Sequence, residues 1–196
     1  FMFLEFAGAD TGTKVTVSNI QVHKLEGTPA GDDLASLVDY STFAARDNKG
    51  TITSDSNSAT MTCAAPEPNP AAWQRGIFTG DICELSAGTS YQASFDITAT
   101  EETPFEVCYN KDEDWNSGEG AFGKEFDLTA STESSTVTHT INPAENGKLR
   151  LRIDLGLAKE NTEVTVSSIQ VHKLEERPVG DNLAEVTYPG EDNPDP

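Results

Sequence analysis

Two tryptophans, Trp73 and Trp115, are the only indole rings in a chain of 196 residues. Trp115 sits in a stretch of Asp, Glu, Asn, Ser and Gly (residues 111–120), where no apolar run explains it, and Trp73 is followed directly by Gln74 and Arg75. An indole is a flat apolar plate; guanidinium and amide groups beside it supply planar, directional hydrogen bonds. That pairing suits a ligand with an apolar face and a polar rim, and it defines the candidate binding residues: Trp73, Arg75, Gln92, Asp96, Tyr109, Trp115, Arg150 and Arg152.

Strand periodicity sets how these side chains are presented. In residues 91–99, Tyr91, Ala93, Phe95, Ile97 and Ala99 alternate with Gln92, Ser94, Asp96 and Thr98, so one face is core and the other polar. Residues 148–155 alternate in the same way, with Leu149, Leu151 and Ile153 inside and Arg150 and Arg152 outside. Cross-strand pairing of these arginines with Glu106 or Asp96 is the bland alternative to a ligand role. Residues 72–78 can be read in two phases. One exposes Trp73, Arg75 and Ile77; the other buries Trp73 and exposes Gln74. The first is preferred because it leaves no arginine in the core.

Reaction chemistry finds no support. With 33 carboxylates, some pair must fall at glycosidase-like spacing by accident, and no Ser, Cys or His spacing outlines a triad. The three cysteines, Cys63, Cys83 and Cys108, lack zinc-site spacing. Buried thiols are expected, a single bridge through Cys63 or Cys83 being the alternative.

The strongest organising signal is internal. Residues 14–26 recur at 163–175, an offset of 149, and differ only at Lys14/Glu163 and Asn19/Ser168. The likeness continues from 29–35 to 178–184 and upstream from Phe1 against Arg150. A repeat of this length is one ordinary domain. Residues 1–26 then read as the last two strands of a preceding repeat, with a bulge near Asn19. Residues 27–31 read as a linker, 32–180 as one complete module, and 181–196 as a linker or the start of a further repeat. The outward positions of Arg150, Arg152 and Asp154 are Phe1, Phe3 and Glu5 in the earlier copy, while the inward positions stay apolar. Because 1–26 and 150–175 compete for one place, strand exchange through 1–26 is an expected association route.

A formal charge of −20, from 13 basic and 33 acidic residues, disfavours nucleic acid and anionic membrane partners. No apolar run reaches the roughly 18 residues that a membrane-spanning helix needs. About ten short alternating strands with frequent turn signals and no convincing helix predict an all-β protein, an antiparallel β-sandwich of jelly-roll type.

Four stretches add a resemblance. Residues 73–77 carry a tryptophan strand, and Leu85, Gly88, Tyr91 and Phe95 follow a Leu-x-x-Gly-x-x-Tyr-x-x-x-Phe spacing. Residues 147–156 begin and end on glycine, and Val164, Val166, Ile169 and Val171 close the pattern. Together these span 32–175 and resemble the β-sandwich carbohydrate-binding modules of families four, nine and twenty-two. The resemblance implies a non-catalytic module that holds a plant cell-wall polysaccharide, a β-glucan, xyloglucan or xylan, in a cleft across a concave sheet. It implies as partner a glycoside hydrolase in the same parent polypeptide, secreted from a bacterium. A structural or adhesive repeat with no glycan ligand is the competing expectation. Such modules often hold a structural calcium through an aspartate of the last strand; here those positions are Ser167-Ser168 and Ser18-Asn19. The sequence therefore assigns no metal ligand and no cofactor. The loose oxygen-rich run 110–115 is the one other place considered for a calcium ion.

Overall fold

The computed structural model describes residues 24–112 and 121–179, with side chains for 27–112 and 121–175. Gly27–Glu175 forms one compact unit, and it is that unit which is described below. The expectations about 1–23 and 180–196, strand exchange included, and about Trp115 fall outside the described residues.

Twelve strands are present among the described residues: β1 (Lys24–Ala30), β2 (Ala44–Ala45), β3 (Gly50–Ser54), β4 (Ser58–Cys63), β5 (Gly76–Phe78), β6 (Cys83–Leu85), β7 (Tyr91–Ala99), β8 (Thr103–Lys111), β9 (Gly123–Ala130), β10 (Ser135–Ile141), β11 (Gly147–Asp154) and β12 (Glu163–Val179). Helical structure among them is limited to three short 3-10 turns. The strands form two antiparallel sheets. One runs β10-β7-β12-β4-β3, with β1 beside β12; the other runs β2-β5-β11-β8-β9, with β6 beside β11. This is the expected β-sandwich. The segment 27–31, expected as a linker, is extended as far as Ala30 within β1.

The core lies where the inward faces meet. Ala59, Met61, Phe95, Ile97, Val164 and Val166 come from the β7 sheet, and Ile77, Phe105, Val107, Leu149, Leu151 and Ile153 from the β11 sheet; all are buried. The bulge expected near Asn19 falls outside the described residues; at the equivalent point of the later copy, pairing of β12 with β7 shifts between Ser167 and Gln170, and Ser168 takes a φ of 53°. An extra residue at that point returns Ile169 and Val171 to the core face. All three cysteines are free thiols, with Cys63 and Cys108 buried in strands.

Candidate functional site

Antiparallel partners that stand opposite one another share a face. Register therefore writes out the outward-directed side of the β11 sheet as ranks across the strands, in which Arg152, Cys108, Asp154 and Asn110 are buried. Ala44, Phe78, Arg152, Cys108 and Lys124 form one rank; Gly76, Asp154 and Glu106 form the next. Arg150 and Asn110 form a third. Gly76 has no alternative here, since a Cβ would collide with the carbonyl of Ile153.

Ion pairs bind these ranks together. Asp81 accepts from Lys148 Nζ at 2.7 Å and from the Arg150 guanidinium at 2.6 Å, and these two hydrogen bonds hold its carboxyl below the usual aspartate range. Arg152, only 3% exposed, places Nε 3.2 Å from the Asp154 carboxylate and Nη2 3.0 Å from Cys108 Sγ. Burial pushes the Asp154 carboxyl and the Cys108 thiol up, and the Arg152 charge opposes both shifts. Lys124 Nζ lies 2.7 Å from Glu106 Oε2.

Aromatic plates stand on the same surface. Trp73 is 54% exposed, and the Arg46 guanidinium sits 5.2 Å from its ring centroid and 5.5 Å from that of Phe78. Phe126, also 54% exposed, carries Lys124 Nζ at 4.4 Å from its centroid. Cation–π contact at these distances fixes the rings and leaves part of each apolar face open. The turn that delivers Arg46 is tightly wound, with Asp47 and Asn48 at φ 50° and 56°. Left-handed non-glycine pairs of this kind cost energy and persist where the surroundings impose them.

The expected site is therefore redrawn. Trp73 is exposed as expected, but Arg75 is buried, at 1% exposure. Both readings of 72–78 assumed a strand with two-residue alternation; Ala72–Gln74 is instead a 3-10 turn, and only Gly76–Phe78 is strand. The turn throws Trp73 outward and Arg75 inward, where its guanidinium donates to the carbonyls of Ala64, Gly156 and Ala158. Those three acceptors offset the burial of the charge. Gln74 is spent on the same turn, its Oε1 accepting from the amide of Ala71 at 2.7 Å. Tyr109 is wholly buried, stacked on His139 at 4.3 Å between ring centroids, and burial pushes its hydroxyl up. It follows Phe105 and Val107 on the inward face of β8 and is not a surface ligand group.

Gln92 and Asp96 are outward as expected, but on the β7 sheet; β7 and β11 lie in different sheets, so these two residues face away from Arg150 and Arg152. Asp96 is engaged there by the Thr136 hydroxyl at 2.6 Å. Arg150 and Arg152 are on the expected face, paired with Asp81 and Asp154 rather than with Glu106 or Asp96, but Arg152 is buried and, like Tyr109, is not a surface ligand group.

No family model and no curated protein matches the chain. Solved structures similar in fold include a CBM4 module, at 16% identity and a TM-score of 0.49, covering 67% of this chain and 86% of the other. The CBM22-1 xylan-binding domain from Paenibacillus barcinonensis Xyn10C is another, at 14% and 0.49, covering 74% and 97%. A third is the N-terminal cellulose-binding domain from Cellulomonas fimi β-1,4-glucanase C, at 15% and 0.47, covering 81% and 99%.

Sequence reasoning missed Arg46, Phe78, Asp81, Lys124 and Phe126. Strict two-residue alternation would put Phe126 and Leu128 on one face, but pairing of β9 with β8 slips between Phe105 and Val107, with Asp127 at φ 55°. The slip sends Phe126 outward beside Lys124 and leaves Leu128 packed on the core. Among the described residues no group of three or more His, Cys, Asp and Glu side chains is placed to hold a metal ion, and no helix is long and apolar enough to cross a membrane.

Proposed function

We propose that the outer face of the β11 sheet is a non-catalytic binding surface for an uncharged plant cell-wall polysaccharide: β-glucan, xyloglucan or xylan. A half-exposed Trp73, clamped from one side by Arg46, is the observation that carries this reading. Sugar rings expose apolar C–H faces that stack on indole and phenyl plates, and their hydroxyls meet the outer edges of the Asp81–Lys148–Arg150 and Glu106–Lys124 pairs. Each of these carboxylates is already paired with a cation of the protein, which favours hydroxyls over a cationic ligand. With a few stacking and hydrogen-bonding contacts, dissociation constants of about micromolar to millimolar follow.

The wider setting is part of the same proposal. The module belongs to a tandem array, in a parent polypeptide that carries a glycoside hydrolase and is secreted by a bacterium; the repeat at offset 149 and the acidic composition support this setting. A structural repeat is the second reading, favoured by the same duplication. Affinity electrophoresis in gels containing xyloglucan, mixed-linkage β-glucan or xylan separates the two. Retardation that disappears in Trp73→Ala supports binding, whereas free migration of the parent chain in all three gels supports the structural repeat.

A further inference from the structure

A hollow of about 370 Å³ lies away from that face. It opens where β12 bulges at Ser168, between the turn following Gly31 and the β3–β4 hairpin turn. All three walls belong to the β7-sheet side of the sandwich, and none of its lining residues is shared with the Trp73 surface.

Its walls are built by hydrogen bonds that fix backbone. Asp33 Oδ1 accepts from the amides of Ala35 at 2.9 Å and Val171 at 2.8 Å, while the Leu34 amide donates to the Val171 carbonyl at 2.8 Å. Opposite, Asp55 Oδ1 accepts from the amides of Asn57 at 2.7 Å and Ser58 at 2.8 Å, closing the hairpin turn. The hydroxyl of Tyr40 accepts from the Ile169 amide at 3.3 Å and pins the base. The floor is apolar, made by Ala35, Val38, Tyr40 and Ile169.

The rim is different in kind. Ser36, Ser56, Asn57 and Gln170 line the hollow, and none of their side chains hydrogen-bonds to another described residue. Held walls, an apolar floor and uncommitted amides and hydroxyls are the parts of a site for a small ligand that is apolar on one face and rich in hydroxyls on its edge. The size matches the lower end of small-molecule pockets, roughly 300 Å³ and upward. Asp33 is the one charged lining residue, and Oδ1 of its carboxylate is engaged by the chain's own amides. With no cation in its lining, the recess suits an uncharged ligand over an anion.

We propose that this recess is a second, independent binding site, which takes an uncharged sugar unit the size of a mono- or disaccharide. It would let one module hold a chain end at the recess while the β11 face holds another length of polymer, raising retention through effective concentration. The test uses the full chain and three probes, cellobiose, xylobiose and lactose, followed through backbone amide NMR shifts. At least one probe is expected to move Asn57, Ile169 and Gln170 in a saturable way. The response should survive Trp73→Ala and weaken more than 10-fold in an Asn57→Ala, Gln170→Ala double variant whose core shifts are unchanged. No response at these amides to any of the three probes, or a response lost in Trp73→Ala, overturns the proposal. Shifts confined to the strands around Trp73 sink the second site and spare the first, and shifts confined to the recess do the reverse.

Discussion

Arg75 offers a test of how the module is held together. Its guanidinium reaches the carbonyls of Ala64, Gly156 and Ala158, so one side chain staples the chain segment that leaves β4 to the loop that leaves β11. Replacing a buried ion pair with apolar residues can be harmless when both partners are replaced. Here the partners are backbone carbonyls and cannot be replaced. Arg75→Met fills the volume yet strands three acceptors at about 1–3 kcal/mol each before relaxation and water entry. A net loss of about 3–5 kcal/mol is the expectation, and for a domain near 150 residues it lowers Tm by roughly 10 °C. Urea unfolding followed by circular dichroism should show the midpoint falling with an unchanged slope. Arg75→Lys should fail to rescue, because one ammonium group cannot span three carbonyls in a planar fork. A loss under about 1 kcal/mol for Arg75→Met would show that desolvation of the guanidinium cancels its hydrogen bonds, and the staple argument would fall.

Other expectations follow from the same geometry. Burial pushes the Cys63 and Cys108 thiols up and carries Cys83 to about 12, so a thiol reagent at pH 8 should leave the native chain nearly untouched and label all three cysteines after unfolding. Rapid native labelling would contradict the burial. Asp81 is held below its ordinary range in the folded state, so its contribution is present above the unfolded value and is lost as pH falls through the lower, folded one. Asp81→Asn should accordingly reduce the loss of stability between neutral and acid pH in urea titrations; an identical pH profile would remove the pair with Lys148 and Arg150 from the account. Gly156→Ala drives a Cβ into the backbone carbonyl of Ala71, a clash with no flexible side chain to yield, and should cost roughly 3 kcal/mol or more; near-native stability would argue against this approach of the two segments.

Alternation was a sound guide wherever a strand was regular. The two faces of β7 and the inward set of β11 read directly from residue order, and the Ser168 bulge was announced by the phase slip near Asn19 in the earlier copy. Alternation says which side of a strand is polar but not which sheet the strand joins. Gln92 and Arg150 thus looked like neighbours, although β7 and β11 lie in opposite sheets. Where the backbone left strand geometry, the inference failed for a local reason: the 3-10 turn at Ala72–Gln74 reversed Arg75, and the slip beside Asp127 turned Phe126 outward. Arg46 enters from a turn with no periodicity to read, and only the folded chain brings it over Trp73.

The central claim is that Trp73 is the plate on which a polysaccharide lies. A Trp115→Phe chain keeps Trp73 as its single tryptophan. Titrating it with xyloglucan, mixed-linkage β-glucan and xylan while recording indole emission and acrylamide quenching reports on that ring alone. A covered ring should emit further to the blue and lose most of its access to quencher with at least one polymer; emission and quenching unchanged by all three would contradict the account.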